Sequence, residues 1–319
     1  LLPQSDLPGY FNNYTNRQAN PIDDAAWSLK VDQILTSRQR VSFSMWKADT
    51  ETISTNPLGD AETPYGRWGI NPVHGINYRA NYDYTIRPNL LHHFGFGYTR
   101  SNPTREIDPR IGNDLIKLPG VPAGAPGFPT FNVNNNYGNL NMGNSDQQPN
   151  DPSLNKNFSF VDNLSWIRGR HQLKFGIDFR FFQYDNLPGT TDGGISGLYN
   201  FLPRGTANLT AADFASQGNG WASFLLGQVD NGSRLIPPPL RQMRNEFYSY
   251  YVEDIFKVTS KLTLSLGLRH ELPTVVQELG GRQSVLNVTT PNPGAGGRPG
   301  ALVFLNDGDQ LVENYSRAY

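Results

Sequence analysis

Cysteine is absent from all 319 residues. Its absence excludes disulfides, thiolate metal sites and a cysteine nucleophile, and leaves the redox compartment open. Net charge is nearly absent too, with 27 basic residues against 28 acidic ones. That balance gives no electrostatic reason to expect nucleic acid as a partner. No run of about 18 apolar residues occurs, so a helical membrane span is excluded. An initiator methionine and a signal peptide are also missing ahead of Leu1, and the chain is expected to be a fragment.

What is present is aromatic, and it falls in step. In RGRHQLKFGIDFRF (168–181) every second position from Leu173 is apolar: Leu173, Phe175, Ile177, Phe179 and Phe181. Lys174, Gly176, Asp178 and Arg180 fill the gaps. Period two means a strand with one dry and one wet face. This one is longer than most strands of globular proteins. Ile76, Tyr78, Ala80, Tyr82, Tyr84 and Ile86 form a second such stripe, and Leu90, His92, Phe94, Phe96 and Tyr98 a third. The stripes come in pairs around short turns at 36–39, 87–89, 168–170 and 259–261. They predict hairpins over about 25–48, 74–101, 156–185 and 245–272.

The segments between hairpins are long and rich in Asn, Gly and Pro, at 49–73, 102–156, 186–244 and 272–319. Loops of that length are uncommon in a compact soluble domain. A short helix is expected near Trp221–Leu226 and a short strand within ISGLYNF (195–201). The returning strands share a motif: FGFGY at 94–98, LKFGI at 173–177 and LSLGL at 264–268. Each sets a glycine opposite the apolar stripe. Glycine inside a strand marks a bend or a close neighbour.

Short turns on one side and long loops on the other, with alternating strands between, are the pattern of an antiparallel transmembrane β-barrel. The predicted fold class is therefore all-β: a segment of such a barrel, made of hairpins with long extracellular loops. Trp166 and Phe256 beside the short turns, and Trp27 and Tyr98 near the other ends, suit two aromatic girdles. The competing architecture is a soluble β-sandwich or propeller. Two residues resist the membrane reading. Asp162 lies in the stripe of Phe158, Phe160, Leu164 and Trp166, and Asp254 in that of Tyr250, Val252 and Phe256. Either a bulge rotates each strand there, or those faces do not meet lipid.

Four stretches, LHHFGFGYTR (91–100), DNLSWIRGRHQLKFGIDFR (162–180), GWASFLLG (220–227) and YYVEDIFKVTSKLTLSLGLRHE (250–271), resemble the mid-barrel region of TonB-dependent outer-membrane transporters of the Oar-like type. The resemblance spans about residues 25–275. It implies a location in the bacterial outer membrane and uptake of a bulky solute. It also implies contact with outer-membrane lipid, with a plug domain of the same full-length protein and, through the plug, with the TonB energy-coupling complex. Plug, TonB box and carboxypeptidase-regulatory-like domain are not recognisable within this chain. The alternative function is a β-rich cell-surface binding or adhesion module that displays Asn/Gly-rich loops.

No catalytic, cofactor or metal site is expected, and the chain is not expected to be an enzyme. Ser153-Leu-Asn-Lys156 matches S-x-x-K but sits in a Pro/Asn loop. His92 and His93 are adjacent on a strand and face opposite sides. NDGDQ (306–310) reads as a turn rather than a calcium loop. The candidate lumen-facing residues are Arg79, Asp83, Lys174, Asp178, Arg180 and Arg269, which would contact a plug or solute or pair with one another. Asn135, Tyr137, Tyr199 and Trp221 are the candidate solute contacts in the loops.

Overall fold

The computed structural model describes residues 4–9, 13–15, 17, 19–54, 69–104, 128–135, 138–143, 153–187, 196–208, 210, 212, 217–234, 240–305 and 311. The first hairpin is β1 (Ile22–Thr36) and β2 (Gln39–Ser54), and the second β3 (Gly69–Arg87) and β4 (Leu90–Pro103). Within the next segment lie β5 (Thr130–Asn135) and β6 (Gly138–Met142). The third hairpin is β7 (Leu154–Arg168) and β8 (His171–Asn186). After it come β9 (Leu198–Phe201), the helix α1 (Gly220–Leu225) and β10 (Asn231–Ser233). The fourth hairpin is β11 (Arg241–Lys257) and β12 (Thr263–Pro273). β13 (Gln277–Glu278), β14 (Ser284–Asn292) and β15 (Arg298–Phe304) follow.

The eight long strands form one antiparallel sheet in the order β1-β2-β3-β4-β7-β8-β11-β12. All four expected hairpins are present, and their neighbours pair across the long segments. In the turn between β7 and β8, Gly169 takes φ 61°. Two-residue hairpin turns need that left-handed geometry. β1 pairs only with β2 among the described strands, and β12 only with β11, so the sheet does not close.

Register is unbroken through the centre of the sheet. Its two irregularities lie between Ile34 and Thr36 and between Thr85 and Arg87, both beside short turns. No bulge rotates β7 or β11, so Asp162 and Asp254 stay on the apolar stripe. That face carries little protein cover: Leu266 is 62% exposed and Leu268 72%.

The loop expectations need correction. Segments 102–156 and 186–244 build a second sheet, ordered β10-β9-β5-β6, with β5 and β9 parallel. The expected strand within 195–201 is β9 and the expected helix is α1. Asn219 caps α1 by accepting hydrogen bonds from the Trp221 and Ala222 amides. A small core of Val133, Met142 and Phe201 holds this module, with Phe131, Leu140, Tyr199, Trp221 and Phe224 packed round it. Segment 272–319 also contains structure, since β13 pairs with β11 and β14 with β15. Burial opposes the charge on Glu278, but hydrogen bonds from the Arg282 side chain and from the Arg282 and Gly280 amides outweigh it and bring its pKa down to about 2.

Candidate functional site

Paired residues on neighbouring strands point to the same side, so the register can be read across the sheet in rows. The polar side holds one row of Arg40, Asp83, His93, Asn163, Gly176, Tyr251 and Arg269. His93 Nδ1 lies 2.7 Å from Asp83 Oδ1. The Tyr251 hydroxyl donates to Asn163 Oδ1 at 2.7 Å, its ring lying across Gly176. Any Cβ on Gly176 would clash with that ring and with the Asn163 amide. Glycine is therefore present to let one side chain cross the neighbouring strand. Lys174 donates to Glu253 at 3.2 Å one row nearer the turns. Asp83, His93, Asn163, Lys174 and Tyr251 help to line a concavity of about 400 Å³.

All six charged candidates from the sequence lie on this polar side. Asp178 and Arg180 pair along β8 at 2.6 Å, and Arg269 pairs with Glu271 at 2.6 Å. Arg79 makes no ion pair among the described residues. The sequence reading missed Glu253, His93, Asn163 and Tyr251, which complete the pairs. Their signal was present as polar positions in phase with Lys174 and Asp178, but their partners depend on register.

On the apolar side, both unexpected carboxylates have a histidine. His92 Nε2 lies 2.9 Å from Asp162 Oδ2, and His171 Nδ1 lies 2.7 Å from Asp254 Oδ2. His92 and His93 do face opposite sides, each towards its own aspartate. Among the described residues no group of three metal-ligating side chains forms. Ser153-Leu-Asn-Lys156 is corrected in one respect: Lys156 belongs to β7, not to a loop.

The loop sheet and its helix carry three of the four aromatic and amide candidates. Tyr199 and Trp221 are half-buried and pack on the small core, so their rings help to hold the module together. Asn135 lies on the β5 backbone, and Tyr137 and 306–310 lie outside the described residues. The other face of this sheet is paved with amides. Asn141, Asn132, Asn200 and Asn231 stand side by side across β6, β5, β9 and β10, with Asn134 beside Asn139 in the next row. Asn132 Nδ2 donates to Asn200 Oδ1 at 3.0 Å, and Asn200 Nδ2 to Asn231 Oδ1 at 2.6 Å. Asn231 Nδ2 donates in turn to Asp230 at 2.8 Å. The Arg204 guanidinium on Asp230 holds that carboxyl below the usual carboxylate range, with help from Asn231. Strand alternation alone could have grouped these asparagines by face, but not joined them into a row.

The sequence matches the outer membrane beta barrel domain along residues 1–319. The chain belongs to that family. Its apolar side is thus the lipid-facing side of an outer-membrane barrel wall and its polar side lines the interior. Among solved structures, the outer membrane transporter YddB from Escherichia coli is similar at 11% identity and a TM-score of 0.48, over 81% of this chain and 28% of that one. FpvA from P. aeruginosa, bound to heterologous pyoverdines, is similar at 14% identity and a TM-score of 0.45, over 81% and 31%. A mutant ferric enterobactin receptor, PfeA from Pseudomonas aeruginosa, is similar at 12% identity and a TM-score of 0.40, over 96% and 41%. The chain thus spans less than half of each of these structures. No curated protein matches the sequence.

Proposed function

We propose that this barrel wall belongs to a transporter that admits a bulky polar solute across the outer membrane, without catalysing a reaction. The observation that carries the reading is the open, hydrogen-bonded polar wall. Eight strands closed on themselves would leave a lumen filled by side chains. Here β1 and β12 keep free edges among the described strands, and further strands on those edges would give a lumen wide enough for a solute and a plug. The likeness of 162–180, 220–227 and 250–271 to Oar-like TonB-dependent transporters supports coupling through a plug and the TonB complex. The asparagine row supports a solute rich in hydroxyl or amide groups, because each neutral side-chain amide offers one acceptor and two donors. The same row also suits the second reading, a surface-binding module.

The deciding experiment uses cells that make the full-length protein and cells that lack it. Uptake of a panel of labelled polar solutes is followed with and without a protonophore. Loss of uptake of one solute in both the deletion and the de-energised cells is the expected result. Unchanged uptake of every solute, together with lost attachment to surfaces or cells, would replace transport by adhesion.

A further inference from the structure

Counted outwards from the short turns, the lipid-facing stripes are regular. Each runs for about nine residues, from Leu90 to Tyr98, from Trp166 back to Phe158 and from Leu173 to Phe181. Nine to eleven residues is the length that crosses the hydrocarbon layer in a tilted strand. The stripes end in an aromatic row of Tyr78, Tyr98, Phe158 and Phe181. Tyr78 and Tyr98 stack with ring centres 6.1 Å apart, and Tyr98 and Phe158 lie 4.9 Å apart. Aromatic side chains in that position mark the membrane–water interface.

The row immediately beyond it is cationic. Lys47, Ile76, Arg100, Lys156, Gln183 and Arg244 stand side by side on six neighbouring strands. The outer members have carboxylates: Lys47 pairs with Asp49 at 2.7 Å and Arg244 with Asp185 at 2.5 Å. The central two do not. Arg100 and Lys156 are direct cross-strand partners, and neither has an ion pair among the described residues. Like charges directly opposite one another destabilise a sheet. An outward-facing cation pair with no ion pair among the described residues, one row above an aromatic girdle, calls for an anion supplied by the membrane.

We infer that Arg100 and Lys156 seat a phosphate group of a lipid in the leaflet on the long-loop side, with its acyl chains lying down the stripe from Tyr98 and Phe158. The planar Arg100 guanidinium matches two phosphate oxygens, and Lys156 adds a point charge. Tyr98 and Phe158 present the apolar surface on which the first acyl carbons rest. This goes beyond the transport reading and stands without it, because it requires only that the wall faces lipid.

The test uses the full-length protein in neutral-lipid nanodiscs, titrated with bisphosphorylated lipid A and with the same lipid stripped of phosphate. The wild type should prefer the phosphorylated lipid. Arg100→Gln/Lys156→Gln should bind it at least tenfold more weakly, whereas Arg168→Gln/Arg170→Gln, at the other end of the wall, should bind it as the wild type does. Resistance of the band to unfolding on an unheated gel reports whether each variant is folded. If the double variant does not fold, Lys156→Gln alone carries the test with a smaller loss, and Lys156→Arg should restore binding. Equal binding of both lipids, or a folded double variant that binds like the wild type, would overturn the proposal. So would full displacement by millimolar inorganic phosphate, which would make this an ion site rather than a lipid site.

Discussion

Asp162 sits near the middle of a lipid-facing stripe, where an ionised carboxylate is costly, though less so than arginine or lysine. The strand does not twist it away. His92, on the next strand, reaches it instead at 2.9 Å. The hydrogen bond gives the carboxylate a partner that lipid cannot offer. The pair therefore matters less for what it adds than for what is left when half of it is removed. His92→Ala should destabilise the full-length barrel by about 1–3 kcal/mol, whereas Asp162→Asn should cost less. The double variant His92→Ala/Asp162→Asn should recover most of the loss. Urea unfolding in lipid vesicles, followed by tryptophan fluorescence, measures all three. Equal losses in the two single variants, adding in the double, would show that the two side chains act independently.

At the scale of the strand, the repeated glycine motifs divide by cause. Gly176 leaves space for Tyr251 to cross β8, and Gly97 for the Ser159 hydroxyl. Gly267 is different: an added Cβ would meet Val252 O at 3.6 Å, an ordinary contact. The three motifs look alike in sequence, yet only some guard a close approach. Gly176→Ala should push Tyr251 off Asn163 and lower the fraction of folded, heat-modifiable barrel well below that of the wild type. Gly267→Ala should leave that fraction within experimental error. A normal yield from Gly176→Ala would mean that Tyr251 has another rotamer to adopt, and that its bond to Asn163 is dispensable.

For the whole molecule, orientation follows from length asymmetry. Barrels of this kind put short turns in the periplasm and long loops outside. The loop sheet and its asparagine row then stand at the cell surface, beyond the cationic row, and the turns at 37–38, 88–89, 169–170 and 258–262 face inwards. None of the 319 residues is cysteine, so within them a single replacement has no native thiol beside it. Asn139→Cys in the full-length protein should react with a membrane-impermeant thiol reagent on intact cells, and Lys261→Cys should react only after the outer membrane is opened. Reaction at Lys261→Cys alone on intact cells would invert the wall.

Sequence by itself determined the eight long strands, their faces and their hairpins. Period-two alternation is local, and a short turn joins strands adjacent in the chain, so the fourteen residues from Arg168 to Phe181 already carry a turn and two faces. It also placed the six charged candidates on one polar side and marked α1 and β9. Tertiary structure alone decided who stands next to whom. A slip of one residue between strands swaps faces and is opposed by the whole apolar stripe. A slip of two keeps every face and changes every neighbour. Pairings across 102–156 and 186–244 are set by packing of the complete sheet, not by any local pattern. Those pairings join Asp162 to His92, Lys174 to Glu253 and Arg100 to Lys156. The parallel pairing of β5 with β9 is equally non-local. It packs the half-buried Tyr199 and Trp221 round a small core, and aligns asparagines from three separate segments in a single row.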